Sequence, residues 1–262
     1  MGHRSMKSVV DMANGAVTGL MLKDVPEEPR SSIRTHPVHS RKHDIFPLQL
    51  EPLEIIIGDL VGPMPVESVS RCTYGSILVD DYSLAGSVLP LREKSDAPIE
   101  FEKWATMVQN GAGRTIKTVM FDNAKKLVAG KMRGFCEQQG IRIISSVPYS
   151  PSSNGVAARL VGVATNDTRA MLRDSNLPPR FWAEATSTFM YLRNRTLTKM
   201  KEGVTPYGRF CGIKPDGGHI RTFACVVRVT LPKETLGKLD DRGTMGYLLG
   251  YKYEGGYRVW IT

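Results

Sequence analysis

An α/β fold is what this sequence predicts: a mixed sheet with helices on its faces, followed by a small β-rich module. Three observations predict it. Near Leu53 a polar, proline-interrupted stretch gives way to apolar runs of strand length. Strand-like and helix-like runs then succeed one another in the order βββαβαβ, and the C-terminal part returns to strand-like patterning. With 262 residues, 41% of them hydrophobic, the chain is long enough to bury a sizeable core.

Met6 to Leu20 has the pattern of a short helix, too little to fold alone. Residues 24–48, interrupted by Pro26, Pro29, Pro37 and Pro47, read as a linker. Leu53–Val61, Tyr74–Val79 and Ser87–Leu91 are apolar runs bounded by Gly, Pro and Asp, which predicts three strands in an antiparallel meander. A helix over Ala97 to Asn110 follows, then a strand Thr115–Phe121, a helix near Lys131–Gln139 and a strand Ile141–Val147. The turn-rich segment Pro148–Gly155 carries Ser and Asn residues suited to cap a helix starting near Gly155 and running to about Asp174. A further helix is expected from Pro179 to about Arg195, with Trp182, Phe189 and Leu192 among its apolar positions. Thr222–Leu231 and Gly246–Ile261 are strand-like again, with Gly255-Gly256 as a hairpin turn. The division expected is an N-terminal segment and linker over 1–48, a main domain over 49–198 and a basic β-module over 199–262.

The net charge of +9 is unevenly spread. It is +2 over residues 1–48, zero over 49–175 and +7 over 176–262. A basic C-terminal third suits a polyanionic partner, because neutralised phosphates release counterions. No apolar run approaches the roughly 18 to 20 residues that span a bilayer, and the segment after Met1 has no apolar signal core. No membrane partner is therefore expected, and a nuclear or cytoplasmic location is. Cys72, Cys136, Cys211 and Cys225 form no CxxC pair and read as reduced thiols in or near the core.

Two aspartates stand at strand ends or beside turns: Asp59 after Ile55-Ile56-Ile57-Gly58, and Asp122 after Val119-Met120-Phe121. Carboxylates on adjacent strands suit a hard cation such as Mg²⁺, and paired ions about 3.5–4 Å apart serve phosphoryl transfer. An Asp after an apolar strand is more often a turn or capping residue.

Longer segments carry a more specific signal. Gly58-Asp59-Leu60-Val61-Gly62-Pro63, Val79-Asp80-Asp81-Tyr82-Ser83, Phe121-Asp122-Asn123, Val147-Pro148-Tyr149-Ser150-Pro151 and Asn154-Gly155-Val156-Ala157 occur in that order. Phe181-Trp182-Ala183-Glu184-Ala185, Asn194-Arg195-Thr196, Thr205-Pro206-Tyr207, Lys238-Leu239-Asp240-Asp241 and Leu248-Leu249-Gly250-Tyr251 follow. In these words and their spacing the chain resembles the integrase of copia-type retrotransposons over nearly its whole length. The resemblance implies a ribonuclease H-like core that joins retrotransposon DNA ends to target DNA with two aspartates, a glutamate and a divalent metal, Mg²⁺ or Mn²⁺. It also implies DNA as partner and a possible homo-oligomer.

Carried over residue by residue, the resemblance puts Asp59 and Asp122 in the places of the two aspartates, as metal ligands. The glutamate belongs 36 positions after Asp122, at Ala158. The family reads Asn-Gly-Val-Ala-Glu-Arg where this chain has Asn154-Gly155-Val156-Ala157-Ala158-Arg159, so the neighbours fix the alignment. Alanine offers a metal no oxygen, and metal binding is expected to be weak or lost and strand transfer impaired. Asp167, nine residues on, would lie about 13 Å along the helix axis, too far to substitute. Asp80 and Asp81 are nearer by topology, although the family's aspartate pair there has no such role.

Where the family has a glycine and an acidic residue after the second aspartate, this chain has Ala124-Lys125-Lys126. Lys125 and Lys126 either repel a metal or touch phosphate. Contacts to DNA are also expected from Asn154, Arg159, Arg169 and Arg173, with Arg193, Arg195, Lys199 and Lys201 as further cations; a solvated helix face is the competing reading. The family's zinc module uses two histidines and a later CxxC. Gly2-His3 resembles the second histidine's surroundings, no cysteine occurs over 25–43, and His36, His39 and His43 read as solvated. No structural zinc is expected.

Overall fold

In the computed structural model the described residues are 51–121, 130–145, 151–198, 203–230, 241–252 and 255–261. The expected helix over Met6–Leu20, the linker, the histidine cluster and Asp122 through Lys126 lie outside them.

Strands β1 (Ile55–Val61), β2 (Tyr74–Asp80) and β3 (Gly86–Leu91) form the predicted antiparallel meander. β4 (Thr118–Phe121) pairs parallel to β1, and β5 (Arg142–Ser145) pairs parallel to β4. The sheet order is β3-β2-β1-β4-β5. β1 is central and its first four residues are all buried, as expected of a strand covered on both faces.

Among the described residues five α-helices accompany the sheet: α1 (Ala97–Ala112), α2 (Lys131–Gln138), α3 (Pro151–Ser175), α4 (Trp182–Asn194) and the short α5 (Pro206–Cys211). Side-chain alternation along the strands divides them into two layers. Ile56, Leu78, Val119 and Phe121 pack with Phe101 and Trp104 of α1 and Met132 and Phe135 of α2. Burying a side chain such as Phe101 stabilises the fold by about 1.5–3 kcal/mol. On the opposite face Ile77 and Val79 pack with Leu160 and Met171 of α3 and Phe189 and Met190 of α4. Ile55, Ile57 and Met120 close on Ala157 of α3.

Close approaches fix two glycines. A Cβ on Gly58 would stand 2.1 Å from the Phe121 ring, and one on Gly86 would stand 2.4 Å from the Met190 sulfur. The side chain of Asn194, at the end of α4, both donates to the Gly86 carbonyl (2.7 Å) and accepts from the Gly86 N–H (2.9 Å), locking β3 to that helix.

The starts of α3 and β4 shift from their expected places. α3 begins at Pro151, four residues before Gly155, because proline's fixed φ and missing N–H suit the first turn of a helix. The serines and Asn154 therefore lie inside the helix. β4 begins at Thr118, because the Ile116 N–H is already taken by the Gln109 side chain at 2.8 Å.

β6 (Val226–Thr230), β7 (Gly243–Tyr251) and β8 (Tyr257–Ile261) form a separate antiparallel sheet. It packs on α4. The Thr188 hydroxyl donates to the Leu249 carbonyl at 2.7 Å, Trp260 meets Phe181 edge to face at 5.4 Å, and Tyr251 stacks on Tyr191 at 4.3 Å. α4 is thus buried all round, which explains its weakly one-sided sequence pattern.

The thiols are free; Cys72 and Cys136 are buried and Cys225 half-buried, but Cys211 is exposed at the end of α5, against the core location expected for it. No helix among the described residues is long and apolar enough to cross a membrane.

Candidate functional site

Asp59 stands in the second half of β1, half-buried, with its carboxylate accepting from the Leu60 N–H at 2.9 Å. Alternation puts it on the face of Ile55 and Ile57, which is the face α3 covers. On α3, Ala157 is completely buried against those isoleucines and Met120, while the next residue, Ala158, is exposed. Packing of Ala157 therefore fixes where position 158 stands: at the edge of the face that carries Asp59. β4 ends at Phe121, paired with Gly58; Asp122, the next residue in the chain, lies outside the described residues.

The described residues alone do not complete a metal site. Asp59 supplies a carboxylate and Ala158 supplies none, and no group of three or more His, Cys, Asp or Glu side chains gathers among the described residues. A divalent cation needs several oxygen ligands.

Asp80 and Asp81 do not substitute. Asp80 pairs with Ile56 and so faces the α1 side of the sheet, opposite Asp59. It is 3% exposed and fully engaged: one oxygen accepts from the Leu53 N–H at 2.7 Å, and the other from the Ser83 N–H at 2.7 Å and the Ser83 hydroxyl. Burial raises its pKa above the ordinary value, against the lowering effect of those hydrogen bonds. Leu53 has a left-handed φ of +71°, an unfavourable conformation for leucine that the Asp80 bond helps to hold. Asp81 follows β2 at the far end from Ile77, the partner of Asp59; four residues along a strand is about 13 Å.

The cations separate into two kinds. Arg159, Arg169 and Arg173 are exposed on α3. At 100° per residue they fall within about 80° of one another, with exposed Gly162 and Asn166 between them, along about 21 Å of axis. Asn154 is on the same helix, four residues before Ala158. Arg193 is different: it is 9% exposed and donates to the Leu84 carbonyl at 2.6 Å, which removes it from the phosphate-contacting set the sequence implied. Arg195 lies over the Tyr191 ring at 3.6 Å and the Tyr207 ring at 4.5 Å. Lys125, Lys126, Lys199 and Lys201 are outside the described residues.

Sequence reasoning missed the polar joint between α4 and the C-terminal sheet. Glu184, 4% exposed, accepts from Arg258 at 3.2 Å, and the Tyr191 hydroxyl lies 2.6 Å from His219 Nε2. The available signal was the presence of Glu184, Thr186 and Thr188 among the apolar residues of a helix with no polar stripe.

Comparison with known proteins places these features. A model of the retroviral polymerase SH3-like domain matches residues 225–262, the C-terminal sheet. The retrovirus-related Pol polyprotein from transposon TNT 1-94 of Nicotiana tabacum is 32% identical over 213 residues, 81% of this chain and 16% of that protein. That from transposon RE2 of Arabidopsis thaliana is 27% identical over 201 residues, 77% of this chain and 14% of that protein. The chain thus spans about a sixth of the length of the curated relatives it matches. A chain of the simian T-cell lymphotropic virus intasome, solved in complex with a PP2A regulatory subunit, superposes with a TM-score of 0.51 at 17% identity. The match covers 86% of this chain and 82% of that one, and shows a shared fold, here a mixed five-stranded sheet flanked by helices and followed by a three-stranded sheet.

Proposed function

Since the chain belongs to the retrovirus-related Pol polyproteins of transposons, as their integrase segment, we propose that it binds DNA along α3 and is crippled in strand transfer. The observation that carries this reading is Ala158, a methyl group at the edge of the Asp59 face, held in place by the buried Ala157 beside it. Family resemblance assigns that position a metal-binding carboxylate. Loss of a metal ligand costs orders of magnitude in rate, because the metal's position sets the geometry of in-line attack. The engagement of Asp80 and the distance of Asp81 support a silent site over a rewired one.

DNA retention rests on distributed contacts that a single lost carboxylate leaves intact. Arg159, Arg169 and Arg173 form an exposed stripe suited to a phosphate backbone, and Asn154, Lys125 and Lys126 extend the set by resemblance. Mg²⁺ or Mn²⁺, self-association and a nuclear or cytoplasmic setting belong to the same reading.

The test is strand transfer with short labelled DNA ends in Mg²⁺ or Mn²⁺, run on the natural chain and on Ala158→Glu. We expect no joining by the natural chain and joining by the variant. Joining by the natural chain would refute the impairment; DNA binding that ignores salt would refute the α3 reading.

A further inference from the structure

Between the sheet, the second half of α3 and the start of α4 lies a cavity of about 480 Å³. We propose that it binds a small apolar acid, a hydrocarbon or aryl body ending in a carboxylate. The floor of the cavity, its committed donors and its rim carry the proposal.

Gly75 of β2 holds the floor open. Its φ is not positive, so the backbone there does not call for glycine. A Cβ at this position would stand 3.3 Å from Val61 and 4.0 Å from the Trp182 ring, both of which line the cavity. A glycine inside a strand gives up packing, and the space it leaves lets a ligand approach the backbone. Ile77 and Val88, partners across β2 and β3, continue the floor as apolar surface, and Ala164 and Leu172 of α3 wall it.

The polar groups of the interior are already committed. Thr165 donates to the Val161 carbonyl at 2.8 Å, Thr168 to Thr186 at 3.0 Å and Thr186 to the Trp182 carbonyl at 2.7 Å. The Trp182 indole N–H donates to the Val66 carbonyl at 3.0 Å. These four side chains have no donor left for a sugar, a base or a peptide, and a polar body entering here would give up its water without replacement. The body that fits is apolar.

Charge is confined to the rim. Arg169 and Arg173 line the cavity, are exposed, and stand about one turn apart on α3. Their planar guanidinium groups match a carboxylate in shape and charge. An apolar body under an anionic head therefore uses both parts of the cavity, whose volume lies within the roughly 300–1,000 Å³ of small-ligand sites.

The experiment titrates the natural chain with decanoate, decanol and decyltrimethylammonium at low ionic strength, following tryptophan fluorescence, because Trp182 lines the cavity. We expect decanoate to bind at least about tenfold more tightly than decanol, the gain a charge-assisted hydrogen bond brings, and the cation not to bind. Thr165→Phe, which fills the cavity from α3, should abolish saturable decanoate binding; Leu177→Phe fills it from the other side and takes its place if circular dichroism shows Thr165→Phe to be unfolded. Arg169→Gln combined with Arg173→Gln, both at exposed positions, should keep the fold and bring decanoate and decanol to equal affinity. No decanoate binding by the natural chain, equal affinity of that chain for decanoate and decanol, or undiminished binding in a folded, filled variant overturns the inference. No DNA enters the experiment, so the DNA-binding reading stands or falls separately.

Discussion

A single side chain decides more at Asp80 than its place in the sequence advertises. Its carboxylate ties the residue before β1 to the turn after β2, and its burial raises its pKa above 3.8. A carboxyl group with a raised folded pKa holds its proton more tightly folded than unfolded. Its contribution to stability is therefore fully present below 3.8 and is lost as pH rises through the raised folded value. Across that window the stability of the natural chain should fall with rising pH by more than that of Asp80→Asn. Urea unfolding midpoints of the two proteins, measured at intervals from pH 3.5 upward, check this; parallel curves would refute it. Asp80→Asn should also be less stable at every pH by roughly 1–3 kcal/mol, since an amide replaces one of the accepting oxygens.

At the scale of elements, α4 is the joint of the structure. Arg258 reaches from β8 to the buried Glu184, one of whose oxygens has no hydrogen-bond partner among the described residues. Arg258→Ala should destabilise the chain by roughly 2 kcal/mol, because a buried carboxylate loses its counterion; Arg258 is half exposed, which keeps the figure below that of a fully buried pair. Adding Glu184→Leu to that variant should recover most of the loss. Thermal unfolding of the single and double variants tests both steps, and a double variant no more stable than Arg258→Ala would refute the account. The joint was only partly legible. Trp182 and Phe189 announced an apolar helix, but its second covering layer comes from β7, some sixty residues on, and no local pattern carries that information. Family words in the sequence turn out to be joints of the same kind. Asn194 holds Gly86, Thr205 caps α5 by accepting from the Gly208 N–H at 3.0 Å, and Trp182 donates to the Val66 carbonyl at 3.0 Å.

For the whole molecule, the succession of strands and helices along the core and the antiparallel meander of its first three strands were legible from periodicity. The two faces of the sheet were not: Asp59 and Asp80 look equivalent as strand-end carboxylates until register separates them by one residue's parity. Exposure of the cations was equally hidden, and Arg193 proved internal where Arg159, Arg169 and Arg173 are external. Their stripe predicts a binding constant for duplex DNA that falls steeply with salt, the slope of log K against log salt shrinking by about 1 in Arg169→Ala. Titrations at several salt concentrations give both slopes, and equal slopes would remove Arg169 from the contact set.

The packing of β7 and β8 on α4 also sets an order of events during synthesis. A ribosome releases the chain from its N-terminal side, so the sheet that receives α3 and α4 is complete while the outer side of α4 still lacks its cover. Until residues 243–261 have emerged, Phe181, Thr188 and the Glu184 carboxylate face water or a chaperone. Nascent chains stalled before β7 should therefore be cut by protease near α4, and those stalled well after β8 should resist.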